Sequence, residues 1–236
     1  MKIKRILVSR VDSIGDVVLT LPMVGLLRSN LEGVEIFFMG RSYTKSVVDA
    51  CSSVDRFVDY DVLCGMKFKE RIEYIRSLNI DVLFNVFPRY EISLLGLFSG
   101  IRYRVGTTNR IYHWLTCNRL VFLSRRRSRL HETQLNIKLL KGIGLDIDIS
   151  LEEVKNYYCM DKVKPLRDDL KLLLSEDKRN IILHPKSRGS AREWGFSNYS
   201  RLIKMLDKDR YKIFITGSAD EGVMLEEFIR EHTGDV

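Results

Sequence analysis

The first stretch of the chain that could carry chemistry is a short polar loop behind an apolar run. Residues Ile3 to Val8 are typical of a buried strand, and the loop after them contains Ser13, Gly15 and Asp16. Apolar residues at helical spacing follow, so Asp16 falls in the first turn of a predicted helix. A carboxylate there either stabilises the helix dipole or, at the mouth of a cleft, acts as a general base on a hydroxyl group. The residues alone leave both interpretations open.

Groups that bind phosphate are concentrated in a second loop, between His184 and Trp194. The loop contains three cations, two hydroxyl groups and a glycine, namely Lys186, Arg188, Arg192, Ser187, Ser190 and Gly189. Arginine binds phosphate through two parallel hydrogen bonds, so this set suits a diphosphate. The first loop, by contrast, matches neither the G-x-G-x-x-G nor the G-x-x-x-x-G-K-[ST] pattern. A third loop, residues 217–221, opens a predicted helix, and an ordinary βα connection is the alternative interpretation there.

The positive charge of the chain is concentrated in one window. The chain has 236 residues with 39 Lys+Arg and 31 Asp+Glu, which gives a net charge of +8. Eight arginines and no acidic residue lie between positions 102 and 129: Arg102, Arg104, Arg110, Arg119, Arg125, Arg126, Arg127 and Arg129. A patch of one sign attracts anionic partners. The window predicts either solvated arginines whose stems cover apolar surface, or a site for nucleic acid, an anionic membrane surface or a phosphorylated substrate.

Residue spacing argues against a metal site. The histidines and cysteines, four of each, are scattered and lack the pairs typical of zinc ligands. Two D-x-D triplets, Asp59-Tyr60-Asp61 and Asp146-Ile147-Asp148, are short enough to arise by chance. We therefore expect no metal and no cofactor. The widely spaced cysteines, the short N-terminal apolar stretch and the lack of a long apolar run favour a cytoplasmic protein without a signal peptide or a membrane span.

The elements that must hold these loops alternate between strands and helices. Apolar runs typical of strands are followed by stretches with helical spacing through the first half of the chain, and again from Asn180 to Glu231. This alternation predicts an α/β protein with parallel sheets and helical crossovers. Residues 145–178 are more charged and predict a crossing between two domains, which we place at 1–160 and 161–236. The second would hold only two strands, so we expect a small core and a domain that is cut short.

Five blocks in a fixed order resemble glycosyltransferase family 9, the ADP-heptose:lipopolysaccharide heptosyltransferases. They are Ser13-Ile14-Gly15-Asp16 followed by Leu21-Pro22, then Gly100-Ile101-Arg102-Tyr103-Arg104-Val105-Gly106, His131-Glu132, His184-Pro185 with Arg192-Glu193-Trp194, and Phe214-Ile215-Thr216-Gly217-Ser218. The resemblance extends over most of the chain, and the first and fourth blocks together are fairly specific. It implies a fold of GT-B type, in which two Rossmann-like domains face a cleft. The N-terminal domain would take the acceptor and the truncated second domain the nucleotide sugar.

The resemblance also implies roles for individual residues. Asp16 matches the catalytic base of the family. Donor binding is implied for Ser187, Arg188, Arg192, Gly217, Ser218 and Glu221. Acceptor binding is implied for Ser13, Gly15 and, as a group rather than singly, Arg102, Arg104, Arg125, Arg126 and Arg127.

The implied reaction is the transfer of a sugar, heptose by resemblance, from a nucleotide sugar such as ADP-heptose to a lipopolysaccharide-core-type acceptor, with inversion at the anomeric carbon. The partners would be the nucleotide sugar and an anionic glycolipid, with peripheral contact with the inner membrane surface and no nucleic acid. Two features depart from the family. Lys186 stands where many members carry glycine, and the later D-[ST]-G-x-x-H motif is absent from these residues. A non-catalytic or truncated member, and a GT-B transferase for another sugar, stay open as alternatives.

Overall fold

The structure, a computed structural model, describes residues 3–124, 128–187 and 192–234. The chain divides into two units, Met1–Lys164 (unit 1) and Pro165–Val236 (unit 2). Within the described residues, no helix combines the length and the apolar character that crossing a bilayer requires.

Unit 1 is built on a parallel sheet of six strands. These are β1 (Arg5–Ser9), β2 (Glu35–Gly40), β3 (Arg56–Asp59), β4 (Val82–Asn85), β5 (Tyr103–Thr107) and β6 (Arg119–Val121). Their order across the sheet is β3-β2-β1-β4-β5-β6, and every neighbouring pair is parallel. All four residues of β4 are buried, as in a sheet covered by helices on both faces. The predicted parallel α/β architecture is confirmed.

The helices of unit 1 lie between the strands in sequence and follow the last of them. Those within the described residues are α1 (Ile14–Val18), α2 (Leu21–Asn30), α3 (Lys45–Asp49), α4 (Tyr60–Gly65), α5 (Phe68–Ser77), α6 (Tyr90–Phe98), α7 (Ile111–Thr116), α8 (Glu132–Ile137) and α9 (Leu151–Val154). Short 3-10 helices lie at Ser42–Thr44, Lys138–Ile143 and Lys155–Tyr157.

Two apolar layers pack on opposite faces of the sheet. Successive residues of a strand point to opposite faces, so Ile6 belongs to one layer and Leu7 to the other. The first layer includes Leu27 of α2 and Leu135 of α8, and the second includes Ile75 of α5. A register slip of one residue in β1 would turn Ile6 and Leu7 to the wrong faces. Because every neighbouring pair of strands is parallel, the carboxyl ends of all six strands lie at one common edge.

The loop after β1 leads into two short helices. α1 ends at Val18 and α2 begins at Leu21, with Pro22 in its first turn, where the missing N–H of proline costs no helical hydrogen bond. Pro22 thus marks the first turn of α2 and does not kink a longer helix. Thr20 lies between the two helices, and its hydroxyl donates to the main-chain oxygen of Asp16 in α1 over 2.8 Å.

The segment expected to cross between domains, residues 145–178, is divided by the boundary of the two units. Its first part packs on unit 1, where Ile147, Ile149 and Tyr157 contact the first apolar layer. A Cβ added at Gly25 of α2 would lie 2.1 Å from the main-chain oxygen of Tyr157, so glycine permits this close approach. This part therefore belongs to unit 1, because apolar residues among the charged ones form a face that packs on its core.

Unit 2 has a pair of parallel strands within its described residues, β7 (Arg179–Leu183) and β8 (Tyr211–Ile215). Its helices there are α10 (Asp168–Lys171), α11 (Phe196–Met205) and α12 (Ala219–Glu231). The core is small, as its sequence predicts, and consists of Leu183, Ile203, Ile213, Leu225 and Phe228. The ring of Phe196 stacks on that of Phe228 with centroids 5.0 Å apart and joins α11 to α12.

Candidate functional site

The strand order of unit 1 places a crevice at a defined point of the sheet. From β1 the chain proceeds to β2 and β3 on one side, and from β4 it proceeds to β5 and β6 on the other. In open α/β sheets, ligands bind outside the carboxyl ends of the strands at such a switch point. The loops after β1 and β4 leave the sheet here. The first of them carries Asp16, so the residue expected to do chemistry lies where this topology binds ligands.

A buried guanidinium organises the loop after β1. The side chain of Arg10 is 4% exposed and contacts three carboxylates. Its Nε donates to Asp12 over 2.7 Å, its Nη2 to Asp16 over 2.6 Å and its Nη1 to Glu132 over 3.2 Å. Since Glu132 is 122 residues further along the chain, Arg10 joins the start of α8 to the loop after β1. One cation among three carboxylates gives this cluster an excess of negative charge.

Asp16 is held firmly while part of it faces solvent. It lies in the first turn of α1, and its side chain is 34% exposed. One carboxylate oxygen accepts from Arg10, and the other accepts from the Ser13 hydroxyl over 2.5 Å. The Ser13 hydroxyl can rotate, whereas the Arg10 guanidinium is fixed by three contacts. Oδ2 of Asp16 is therefore the oxygen better placed to accept a proton from an incoming hydroxyl group.

Burial affects the pKa of Asp12 more than the neighbouring Arg10 cation does. Burial raises the pKa of Asp12 above its ordinary value, although the charge and the hydrogen bond of Arg10 oppose the shift and the charge of Asp16 adds to it. Its main-chain oxygen accepts from the Tyr43 hydroxyl over 2.7 Å, which fixes the loop against the segment after β2. Asp12 therefore helps to hold Arg10 in place, although burial disfavours the charged form of the Asp12 carboxyl group.

The loop after β4 adds an aromatic ring and a second cation to the crevice. The Arg10 guanidinium lies 5.8 Å from the centroid of the Phe87 ring, and the Arg89 guanidinium lies 5.3 Å from the same centroid. Both distances are within the range of cation–π attraction. Arg89 itself is exposed. The crevice thus combines a fixed carboxylate with an exposed guanidinium on the neighbouring loop.

The residues expected to bind the acceptor are not all brought to this crevice. Ser13 and Gly15 lie beside Asp16, and both are exposed. Arg102 precedes β5, at the amino end of the strand and thus at the opposite edge of the sheet. The Arg104 side chain donates to the main-chain oxygens of Thr116 and Ile101 and so stabilises the fold locally. The remaining members of that set, Arg125, Arg126 and Arg127, lie outside the described residues.

The phosphate-loop prediction concerns residues of unit 2, which form a local network of their own. Glu193 accepts from the Lys186 ammonium over 2.6 Å and from the main-chain N–H of Ser187 over 3.1 Å. The hydrogen bond from Lys186 is the main cause that lowers the pKa of Glu193, and the N–H of Ser187 contributes. Arg192 is exposed beside this network. Lys186, which departs from the family pattern, is therefore paired with Glu193, while Arg188 lies outside the described residues.

The third predicted loop forms the start of α12. The main-chain N–H of Glu221 donates to the Ser218 hydroxyl over 3.4 Å, and the N–H of Ser218 donates to the Glu221 carboxylate over 2.7 Å. This reciprocal pair is a capping box. A Cβ at Gly217 would lie 2.9 Å from Leu225, so the turn packs tightly against its own helix. Glu221 is buried and holds the helix start, and the donor binding that the resemblance implies for it stays a prediction.

The D-x-D triplets are used by the fold. Asp59 caps α4 by accepting from the N–H of Asp61, and Asp61 pairs with the Nε of Arg41 over 2.7 Å. Asp146 pairs with Lys141 over 2.8 Å. Within residues 3–124, 128–187 and 192–234, no group of three His, Cys, Asp or Glu side chains is arranged to hold a metal ion.

The arrangement around Arg10 contains residues to which the sequence had given no role. Arg10 follows an apolar strand directly and precedes two aspartates, which is a local pattern that suggests a buried ion pair. Asp12 could be found by the same pattern. Glu132 could not be connected to them from spacing, because its contact with Arg10 depends on how α8 returns to the sheet.

Comparison with known proteins agrees with the resemblance in the sequence. No protein-family model matches the chain. A Haemophilus influenzae protein named "Putative glycosyltransferase" is 26% identical over 213 residues, which are 86% of this chain and 60% of that protein. The structure of a family 9 glycosyltransferase from Veillonella parvula superposes with a TM-score of 0.72 and 17% identity, covering 97% of this chain and 66% of that one.

A second solved structure has the same fold. The Escherichia coli heptosyltransferase WaaC, solved with ADP, gives a TM-score of 0.69 at 14% identity and covers 95% of this chain and 71% of that one. The chain thus spans about 60% of the length of the Haemophilus influenzae protein and about two thirds to 71% of the two solved structures. The predicted α/β fold of GT-B type is confirmed, and the two solved structures that share it are a family 9 glycosyltransferase and a heptosyltransferase.

Proposed function

We propose that this chain acts in glycosyl transfer, with the acceptor bound at the crevice of unit 1 and a nucleotide sugar bound by unit 2. The observation that carries the proposal is the carboxylate of Asp16, fixed by Arg10 and Ser13 yet partly exposed, at the switch point of the sheet. The fold shared with family 9 glycosyltransferases and the similarity to the Haemophilus influenzae protein support this class of reaction.

The reaction would proceed by direct displacement. The acceptor hydroxyl oxygen forms a bond to the anomeric carbon, and the bond from that carbon to the diphosphate oxygen breaks with its electrons leaving on the nucleoside diphosphate. The hydroxyl proton passes to Oδ2 of Asp16. Attack from the face opposite the leaving group inverts the anomeric centre. A positioned general base contributes about 10²–10⁴-fold to such a rate.

The donor is proposed to be ADP-heptose, and the acceptor an anionic glycolipid of the lipopolysaccharide core. The ADP bound to the Escherichia coli heptosyltransferase supports an adenine nucleotide as the donor class. Arg192, which is exposed, would stabilise the negative charge that grows on the leaving diphosphate. One guanidinium group can donate two parallel hydrogen bonds to two phosphate oxygens. The reaction would take place at the cytoplasmic side of a membrane.

The decisive variant is Asp16→Asn, which keeps the shape of the side chain and removes the base. We expect kcat for sugar transfer from ADP-heptose to fall by about 10²-fold or more, with little change in KM. Asp61→Asn is the matched control, because Asp61 also pairs with an arginine and its side chain is 33% exposed. Equal turnover in the two variants would remove Asp16 from the mechanism.

Donor binding by the chain is tested separately with ADP as the probe. Calorimetric titration should give saturable binding that Arg192→Ala weakens by about tenfold, the loss expected for one charge-assisted contact. Arg210→Ala, which removes an exposed arginine beside the ring of Tyr211, is the control and should leave ADP binding unchanged. Absence of saturable binding in the wild-type chain would contradict the donor role of unit 2.

A further inference from the structure

Four large apolar side chains form an exposed surface on unit 1. Ile111, Trp114 and Leu115 of α7 are 86%, 62% and 80% exposed, and Phe122, just after β6, is 83% exposed. We call these four residues the α7 surface. The three in the helix are spaced i, i+3 and i+4, which puts them on one helical face. Single exposed apolar residues are ordinary, but a contiguous group marks an interaction site.

The exposure of the α7 surface does not come from poor packing around it. His113 and Thr116, on the other face of α7, are buried. On the strand side, Val121 and Leu123 are buried on either side of the exposed Phe122. The segment therefore has one face that packs against the sheet and another that projects outward.

Hydrogen bonds hold the two parts of the α7 surface together. The Trp114 indole donates to the main-chain oxygen of Thr108 over 3.1 Å, and the N–H of Thr108 donates to Val121 over 3.1 Å. The Asn109 side chain donates to the main-chain oxygen of Leu123. The loop before α7 is thus bonded to the segment that carries Phe122. The fold therefore holds α7 next to the segment that carries Phe122.

Positive charge accompanies these apolar side chains. Arg110 immediately precedes α7 and is exposed, as are Arg89 and Arg129. The chain has no aspartate or glutamate between positions 102 and 129. On the adjacent helix α6, Glu91 accepts a hydrogen bond from the Tyr60 hydroxyl over 2.9 Å. An apolar face accompanied by arginines is the composition of segments that lie in the interface of an anionic bilayer.

The α7 surface lies on the same edge of the sheet as Asp16. α7 follows the carboxyl end of β5 and Phe122 follows that of β6, while the loop with Asp16 follows that of β1. Aromatic and cationic side chains connect the two places. The ring of Tyr112 in α7 lies 5.5 Å from that of Tyr90, and Arg89, next in sequence to Tyr90, lies over Phe87 at the crevice.

We propose that the α7 surface docks on an anionic phospholipid bilayer, with its four apolar side chains in the interface and the arginines against the headgroups. The proposal deepens the proposed function, since a lipid-linked acceptor would then approach Asp16 from the docked edge. A bilayer fits these residues better than a protein partner does. The apolar group is accompanied by arginines, with no acidic residue between positions 102 and 129, and charge of one sign beside an apolar face is complementary to anionic headgroups.

Vesicle flotation with the wild-type chain tests the proposal without any sugar transfer, so its failure is distinct from failure of the proposed reaction. Vesicles of phosphatidylcholine alone are compared with vesicles that also contain phosphatidylglycerol. We expect binding to the mixed vesicles, and Leu115→Ser/Phe122→Ser should weaken it by at least about tenfold, because each inserted side chain contributes the free energy of its apolar burial. Val62→Ser/Leu151→Ser removes two other exposed apolar side chains of unit 1 and should change binding by less than about twofold.

The contribution of positive charge is tested with the variant Arg110→Gln/Arg129→Gln. This variant should bind the mixed vesicles more weakly than the wild type, and its binding should depend less on salt. Equal binding of the Leu115→Ser/Phe122→Ser variant and the wild type would overturn the proposal, as would equal binding to both kinds of vesicle. Sedimentation of the free chain provides the remaining test. A dimer that Leu115→Ser/Phe122→Ser converts to a monomer would assign the surface to a second copy of this chain and also overturn the proposal.

Discussion

Replacement of Arg10 by methionine tests whether one guanidinium holds the crevice together. Methionine keeps most of the volume of the side chain and removes its charge and its donors. Three carboxylates then lose their shared partner, those of Asp12, Asp16 and Glu132. Removal of one partner from a fully buried ion pair costs about 3–5 kcal/mol. Because the three carboxylates are partly exposed, water replaces some of the lost contacts, and we expect the unfolding free energy of unit 1 to fall by about 2–4 kcal/mol.

The measurement is denaturant unfolding of the whole chain, followed by a fluorescence signal that comes from unit 1. Trp114 and Trp194 are the two tryptophans of the chain, one in each unit, so Trp114 fluorescence in a Trp194→Phe background reports on unit 1. Lys45→Met is the control, because Lys45 forms an exposed i,i+4 pair with Asp49 that is worth at most about 0.5 kcal/mol. A loss for Arg10→Met no larger than that of the control would refute the argument.

The charge origin of the loss has its own check. In the Arg10→Met background, Asp12→Asn removes one of the repelling carboxylates, so the double variant should recover about 1–2 kcal/mol relative to Arg10→Met. Without the opposing cation the pKa of Asp12, which burial already raises, rises further. A group whose folded pKa lies above its unfolded pKa contributes stability at low pH and loses it as the pH rises. The deficit of Arg10→Met should therefore shrink as the pH falls from about 7 toward about 5, and a deficit independent of pH would indicate lost packing instead.

Two further predictions concern the framework of unit 1. Burial lowers the pKa of His113 from its ordinary value of 6.5, so the unfolded chain takes up a proton before the folded chain does, and stability should fall as the pH drops below 6.5. In His113→Gln, the unfolding free energy measured with urea should depend less on pH below 6.5. The same pH dependence in the variant and the wild type would exclude His113 as the cause of the loss of stability. Gly25→Ala would bring a Cβ within 2.1 Å of the Tyr157 main-chain oxygen and should destabilise unit 1 by about 2 kcal/mol or more, whereas Gly65→Ala, with open space around it, should be neutral or stabilising. Equal thermal unfolding midpoints of the two glycine variants would show that residues 155–159 do not pack on α2.

The framework of unit 1 could be predicted because its signals are local. Continuous apolar runs, such as that of β4, are typical of strands buried on both faces, and turn residues separate them from helical periodicity. Short helices escaped this reasoning, among them α4, α7 and α9. α4 follows β3 without an intervening loop and begins at a cap formed by Asp59, which we considered only as a metal ligand. α7 was hidden because its exposed face carries Ile111, Trp114 and Leu115 and its buried face carries His113 and Thr116, which is the reverse of the usual amphipathic pattern.

The candidate site was predictable only in the part that lies on one loop. Asp16 stands out because a carboxylate follows a strand and opens a helix. Its partners required the fold, since the contact between Arg10 and Glu132 joins residues 122 positions apart. The arginine window shows the opposite error. The composition of this window suggests one patch. In the structure, however, Arg102 lies at the amino end of β5, and the Arg104 side chain donates to main-chain oxygens. The arginines are separated because successive residues of a strand point to opposite faces and the loops at its two ends lie at opposite edges of the sheet.

The direction of the parallel strands gives a reason why a carboxylate and an apolar surface should cooperate. In a parallel sheet every loop that follows a strand emerges at the same edge, whereas loops that precede strands emerge at the other. Asp16 follows β1, Arg89 follows β4, and the α7 surface follows β5 and β6. A bilayer that contacts the α7 surface therefore meets the edge where Asp16 is exposed. A glycolipid with its lipid part in that bilayer could present a hydroxyl group to Asp16 without leaving the membrane, and the arginines beside the surface would hold its anionic groups.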